Sequence, residues 1–221
     1  MSLPEIIQRS VKPLSSDTLL EEIYPEDYPD NQGYIPIVDD GKFTGFLPLV
    51  DIEIEKEVNQ TVGQCALEKV EQQVSESQHV FQIMLLFQKA GLDILPVVGE
   101  DEAYEGFVKK ENVFNWLSET FAFQSEGGVI VLAIAAIDYS LSEISRLIES
   151  NQGKIIGVVV ESDPFTHQRL LVHLKINQTD LSRIIATLER FEYQILEVHH
   201  ESNSTSLDQE RLDQLLKYLG I

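Results

Sequence analysis

The side chains that could coordinate a metal are five histidines, one cysteine and several carboxylates, and their spacing does not assemble a ligand set. His199 and His200 are neighbours, and neighbouring side chains on a strand point to opposite faces. His167 and His173 would be separated by roughly 20 Å along a strand, which is too far for one ion. Cys65 has no second cysteine to pair with. We therefore predict no metal site.

The remaining candidates for chemistry are acidic. The chain carries 37 acidic and 16 basic residues, which give a formal charge of −21. This charge repels nucleic-acid phosphates and anionic lipid surfaces, so we expect neither nucleic acid nor a membrane as a partner. The densest acidic cluster lacks the spacing of a calcium-binding loop and is interpreted as a solvated face. Its members are Glu21, Glu22, Glu26, Asp27 and Asp30.

The sequence also lacks the common catalytic motifs. The sequence contains no Gly-x-x-x-x-Gly-Lys phosphate loop, no His-Glu-x-x-His helix and no Gly-x-Ser-x-Gly elbow. We therefore expect no catalytic residues and a protein that is not an enzyme, with a small-molecule enzyme kept as the third alternative.

The elements that would position a binding site form an internal repeat. Two apolar strands with an internal proline, at 35–38 and 95–98, lie 60 positions apart. A polar turn and a second strand follow in each copy, at 45–47 and 106–108, and the pattern predicts strand, hairpin, strand and helix twice. Each copy is also preceded by a helix in this interpretation.

The sequence predicts the upstream helix more clearly in the second copy than in the first. In the second copy, Ser77 is the predicted cap before an apolar series, and Gly91 has the position of a left-handed helix end. In the first copy, Ser16 or Asp17 is predicted to cap a short helix over residues 19–23, which prolines end early.

Residues 12–14 with the downstream Pro-Ile-Val, and residues 91–98 (Gly-Leu-Asp-Ile-Leu-Pro-Val-Val), resemble the two halves of a CBS-domain pair. The resemblance covers roughly residues 5–122. It implies a domain at 1–124, with halves at about 5–60 and 61–122 that pack about a pseudo-two-fold axis. Clefts between such halves often hold adenine nucleotides, which makes AMP, ATP or S-adenosylmethionine the possible ligand. No cofactor is required.

The family's nucleotide motif is Gly, two apolar residues, Ser or Thr, two variable residues and Asp. Here Pro48 and Lys109 stand at the hydroxyl positions, while Asp51 is retained and Asn112 replaces the second aspartate. The alternative is that Asp51 only caps the following helix and the glycines only serve turns. The cleft residues expected from the resemblance are Pro36, Pro48, Asp51, Pro96, Lys109 and Asn112.

The second half has a different pattern after the glycine pair at 127–128. A continuous apolar strand at 129–137 precedes a capping box begun by Ser140, and two further strands, a helix and a last strand follow up to residue 199. Strand, helix, strand, strand, helix, strand is the ferredoxin-like βαββαβ order. We therefore expect the fold class α/β (α+β), with a module that resembles a tandem CBS pair followed by a ferredoxin-like domain.

The second half also resembles an ACT domain. The resemblance covers residues 128–200 and implies a domain at 127–202. It rests on the amino-acid sequences at 137–141 and 151–155. ACT domains commonly bind amino acids at the loop after the first strand, so Asp138, Tyr139 and Ser140 are the candidate residues. Tyr139 and Ser140 stand where that family usually has Pro-Gly, so a pure dimerisation or docking role is the alternative.

The last segment, 203–221, is predicted to contain a helix. Ser206 and Gln209 have capping-box spacing, and leucines recur at helical intervals up to Leu219. The helix either packs on its own domain or faces a partner.

Together these patterns predict a ligand-responsive regulatory protein. Both families usually pair, so we expect a homodimer, with a further protein partner possible. No signal-peptide pattern is present and the run at 129–137 is too short to span a bilayer, so we expect a cytoplasmic protein. The alternative is a constitutive homodimeric scaffold whose ligand sites are vestigial.

Overall fold

The computed structural model describes residues 3–24, 27–28, 33–49, 59–99, 101–166 and 168–199. The chain divides into two compact units, Met1–Ser118 and Glu119–Ile221. Predicted Asp51 and the predicted C-terminal helix lie outside the described residues. No described helix is long and apolar enough to cross a membrane.

The first unit contains two antiparallel hairpins with matching registers. They are β1 (Tyr34–Asp39) with β2 (Lys42–Pro48), and β3 (Ile94–Val98) with β4 (Tyr104–Lys109). Pro36 lies opposite Phe46 in the first hairpin, and Pro96 lies opposite Phe107 in the second. Each hairpin has a register shift at the equivalent place, after Ile37 and after Val97. The predicted repeat is confirmed at the level of individual backbone pairs.

The helices in the described part of this unit are α1 (Leu3–Ile6), α2 (Val80–Ala90) and α3 (Lys110–Ser118). Gly91 ends α2 in the left-handed region with a φ of 69°, as predicted. The predicted cap was wrong, because His79 and not Ser77 precedes the helix. The His79 Nδ1 accepts a hydrogen bond from the Phe81 N–H at 3.3 Å.

The helix predicted over residues 19–23 of the first copy was also wrong. The structure has only a three-residue 3-10 turn there, Leu20–Glu22; a second such turn is Val62–Gln64. The predicted cap Ser16 has another partner, because its hydroxyl and its N–H both donate to the Asp39 carboxylate. These bonds, with the Ser16 hydroxyl as the main cause, lower the pKa of Asp39. The contact ties the segment to the end of β1 instead of starting a helix.

A short segment of each copy pairs with the hairpin of the other copy. The Gln8 N–H donates to the Phe107 carbonyl at 2.8 Å, and the Phe107 N–H donates back at 3.1 Å. Glu68 exchanges the same two bonds with Phe46, at 2.8 and 3.0 Å. Gln8 and Glu68 are 60 positions apart, so the exchange is reciprocal. The two copies therefore face each other, and Phe46, Ile94 and Phe107 form a core between them.

The second unit is a four-stranded sheet with the order β6-β7-β5-β8, in which every neighbouring pair is antiparallel. The predicted ferredoxin-like order is confirmed. Its elements, in chain order, are α4 (Phe121–Gln124), β5 (Gly128–Ala135), a 3-10 turn (Ala136–Asp138), α5 (Leu141–Glu149), β6 (Ile155–Ser162), β7 (Arg169–Ile176), α6 (Ser182–Arg190) and β8 (Gln194–His199).

One core holds this unit together. Ile144 and Leu147 of α5 and Ile184 of α6 are buried against Leu132 of β5 and Leu174 of β7. Alternate residues of a strand share a face, so both helices cover the same face of the sheet. The first strand is shorter than predicted, because its last two apolar residues belong to the 3-10 turn.

Candidate functional site

The first unit contains an open groove with a volume of about 710 Å³, within the range of small-molecule sites. It lies between the two repeat copies, because Tyr34 comes from the first copy and the other lining residues come from the second. Its lining residues are Tyr34, Asp93, Ile94, Lys109, Lys110, Glu111 and Phe114.

The second-copy wall is positioned by the direct passage from β4 into α3. Ile94 starts β3 and pairs with Lys109 at the end of β4. The Lys110 N–H donates to the Asp93 carbonyl at 2.9 Å, so the start of α3 is bonded to the residue before β3. This arrangement brings Asp93, Lys109, Lys110 and Glu111 to one edge of the hairpin.

The groove contains two cationic and two anionic side chains. The Lys110 Nζ lies 3.3 Å from the Asp93 Oδ1, and both side chains are well exposed, so this pair adds little stability. Lys109 and Glu111 form no ion pair with another described residue. The groove therefore offers one unpaired cation and one unpaired carboxylate to a ligand.

Aromatic rings supply the apolar part of the groove. The Phe114 side chain on α3 is 69% exposed, which is unusual for a phenylalanine, and Tyr34 is half-buried. The Tyr34 ring meets the Phe46 ring at 6.2 Å in an edge-to-face arrangement. Through this contact the groove adjoins the core that the two copies share.

The three predicted prolines do not line this groove. Pro36 and Pro96 are buried in the middle of their hairpins, and their carbonyls accept hydrogen bonds from the N–H groups of Leu14 at 3.0 Å and Val74 at 2.9 Å. Pro48 ends β2 opposite Tyr34. Pro36 and Pro96 therefore anchor the neighbouring segment of their own copy.

The other predicted cleft residues are divided. Lys109 lines the groove, whereas Asp51 lies outside the described residues. The Asn112 Oδ1 accepts a hydrogen bond from the Lys109 N–H at 3.2 Å, so this amide oxygen caps the start of α3. Asn112 thus holds the backbone that presents Lys109.

The loop predicted in the second unit does not gather its three residues around one point. Asp138 is exposed at the end of a 3-10 turn, and Tyr139 packs against the core of the unit. The Ser140 hydroxyl accepts the Glu143 N–H at 3.4 Å and caps α5, as its spacing predicted. The Asp138 side chain has no hydrogen-bond or ion-pair partner among the described residues.

Sequence reasoning missed most of the groove. Tyr34 and Ile94 are 60 positions apart, so extending the repeat by one residue would have identified them as equivalent positions. Phe114 lies four residues after Lys110, on the same side of α3. Within the described ranges no group of three His, Cys, Asp or Glu side chains could hold a metal ion.

Comparison with known proteins gave structural matches alone. No protein-family model and no curated protein matches the chain. The structural neighbours are CBS-domain pairs, which match about half of the chain. The cytosolic domain of the Mg²⁺ channel MgtE in complex with ATP has 22% identity over 50% of this chain and a TM-score of 0.44; the match covers 46% of that chain.

Two further neighbours are matched over almost their full length. A CBS domain pair/ACT domain protein from Thermotoga maritima has 18% identity over 54% of this chain and 98% of its own, with a TM-score of 0.46. A CBS domain pair in complex with 5′-methylthioadenosine and S-adenosyl-L-methionine has 20% identity over 53% of this chain and 99% of its own, with a TM-score of 0.42.

Proposed function

We propose that this chain is a non-enzymatic regulatory protein that binds an adenine nucleoside or nucleotide in the groove between its two repeat copies. The observation that carries the proposal is the composition of the groove walls. Tyr34 belongs to one copy, while Lys109 and Phe114 belong to the other. An aromatic wall suits a purine, and the charged groups suit its polar substituents.

The proposed response follows from the same geometry. A ligand that contacts Tyr34 and Phe114 together touches both copies, so it binds best at one relative angle of the two. Binding shifts the population towards that angle. The exchanged segments at Gln8 and Glu68 join the copies outside the groove, and they transmit the change.

The second unit is an ACT-like module in this proposal. The support is its ferredoxin-like strand order. Amino-acid binding at the loop after β5 is less favoured, because the Ser140 hydroxyl caps α5 and only the Asp138 side chain is available to a ligand. We favour a dimerisation or docking role for this unit. The proposal also includes a homodimer.

Calorimetric titration of the full chain with AMP, ATP and S-adenosylmethionine tests the proposal. At least one of them should release or absorb heat and raise the melting temperature, since a ligand of the folded state stabilises it. Lys109→Met should weaken that binding, whereas the control Lys89→Met, an exposed lysine of α2, should not. No heat and no thermal shift with all three ligands would remove the nucleotide claim.

A constitutive homodimeric scaffold is the second candidate, and one contact favours it. The Asn112 Oδ1 is bonded to the Lys109 N–H, so the residue at the ribose-binding position of the motif acts as a helix cap. A scaffold would bind no nucleotide and would form the same dimer with and without the three ligands. The titration above separates the two candidates.

A further inference from the structure

The groove is electrically balanced in a strongly acidic chain. Lys109 and Lys110 offset Asp93 and Glu111, whereas the whole chain has a formal charge of −21. Lys110 is already beside Asp93 at 3.3 Å, which leaves Lys109 as the one lining cation without an ion pair among the described residues.

This balance acts against polyanions. A nucleoside triphosphate would bring several negative charges to one unpaired lysine, next to two carboxylates and within the field of an acidic protein. Unbalanced charge of this kind creates potentials of several kT at a protein surface. The Debye length of about 8 Å at physiological salt does not screen the carboxylates that line the groove itself.

The aromatic wall acts in favour of a cation. Ring faces attract ligand cations through their quadrupole, and the exposed Phe114 ring lines the groove. Glu111 is three residues before Phe114 on the same helix, so its carboxylate and the ring are neighbours on the surface of α3. Together they form a place for one positive group.

We propose that the groove selects an adenine nucleoside that carries a positive group and no phosphate, such as a sulfonium nucleoside with an amino-acid tail. In this arrangement Glu111 and Phe114 hold the cation, and Lys109 binds the carboxylate of the tail. The inference rests on the proposed function, because it assigns the charge class of the ligand of that groove.

Titration of the full chain with S-adenosylmethionine, neutral 5′-methylthioadenosine, AMP and ATP tests the selection at low and high NaCl. S-adenosylmethionine should bind tightest, and ATP should bind at least about tenfold more weakly at low salt, with a smaller difference at high salt. If ATP binds as tightly as S-adenosylmethionine at low salt, the charge selection is overturned while the nucleoside groove stands. If no compound binds, both are overturned.

Phe114→Leu tests the role of the ring while keeping apolar bulk. The affinity for S-adenosylmethionine should fall about two- to fivefold, as expected for one exposed cation–π contact, and that for 5′-methylthioadenosine should hardly change. Phe81→Leu is the matched control, because Phe81 is 65% exposed on α2 and does not line the groove. An equal loss for both ligands in Phe114→Leu would overturn recognition of the positive group.

Discussion

The rings of Phe46 and Phe107 meet edge to face, with centroids 6.3 Å apart and planes at 88°. They occupy equivalent positions in the two repeat copies, and both are fully buried. Each residue also pairs its backbone with the other copy's segment, at Gln8 or Glu68. The pair therefore marks the place where the two copies are joined.

Truncating either ring should unfold the first unit more easily. Phe107→Ala or Phe46→Ala removes a buried ring, and such changes cost about 3–5 kcal/mol of stability. Denaturant unfolding followed by the fluorescence of Trp116, the single tryptophan, reports on this unit. Phe81→Ala, at an exposed site, should change stability by less than about 1 kcal/mol. Equal losses in the buried and exposed variants would contradict the shared core.

A methyl group at Gly106 should disrupt the exchange between the copies. Gly106 has a φ of +148°, and a Cβ there would lie 2.6 Å from the Gln8 carbonyl oxygen. Backbone strain of this kind costs about 1–3 kcal/mol. At the equivalent Gly45, the nearest atom would be the Leu67 Cβ at 3.0 Å. Gly106→Ala should therefore lower the unfolding midpoint more than Gly45→Ala, and the opposite order would refute this account.

The second unit should lose stability in acid through Asp163. Hydrogen bonds to its carboxylate, first from the Phe165 N–H at 2.8 Å and then from Arg169 at 2.6 Å, lower the pKa of Asp163. The unfolded value is about 3.9, so the stabilisation is present above about pH 4 and is lost as the pH falls through the lower folded value.

Thermal melts followed by circular dichroism check this dependence. Asp163→Asn should lower the melting temperature of the second unit at pH 7, and its deficit should shrink as the pH approaches 3. Asp138→Asn, at an exposed carboxylate, is the control and should follow the unmodified chain. A deficit of the same size at pH 3 and pH 7 would count against the ionised contact.

The protein should be a homodimer in solution. One chain has a mass of 25.1 kDa, so light scattering on a chromatographic peak should give about twice that value. The second unit supplies a physical reason, because Val159, Val160 and Leu196 expose apolar surface that an isolated chain would leave in water. A mass of one chain at all concentrations would exclude the dimer.

Local patterns were enough to predict much of the architecture. The 60-residue repeat predicted both hairpins, because strand alternation and turn residues depend on near neighbours in sequence. The ferredoxin-like order of the second unit and the Ser140 cap followed for the same reason.

Tertiary contacts decided what the pattern could not. Ser16 was available as a helix cap, but its bonds to Asp39, 23 positions away, replaced the expected helix with a short turn. The groove depends on Tyr34 from one copy and Phe114 from the other, and nothing in their local sequences relates them. The repeat is a local property of the chain, whereas the groove arises only where two distant segments pack together.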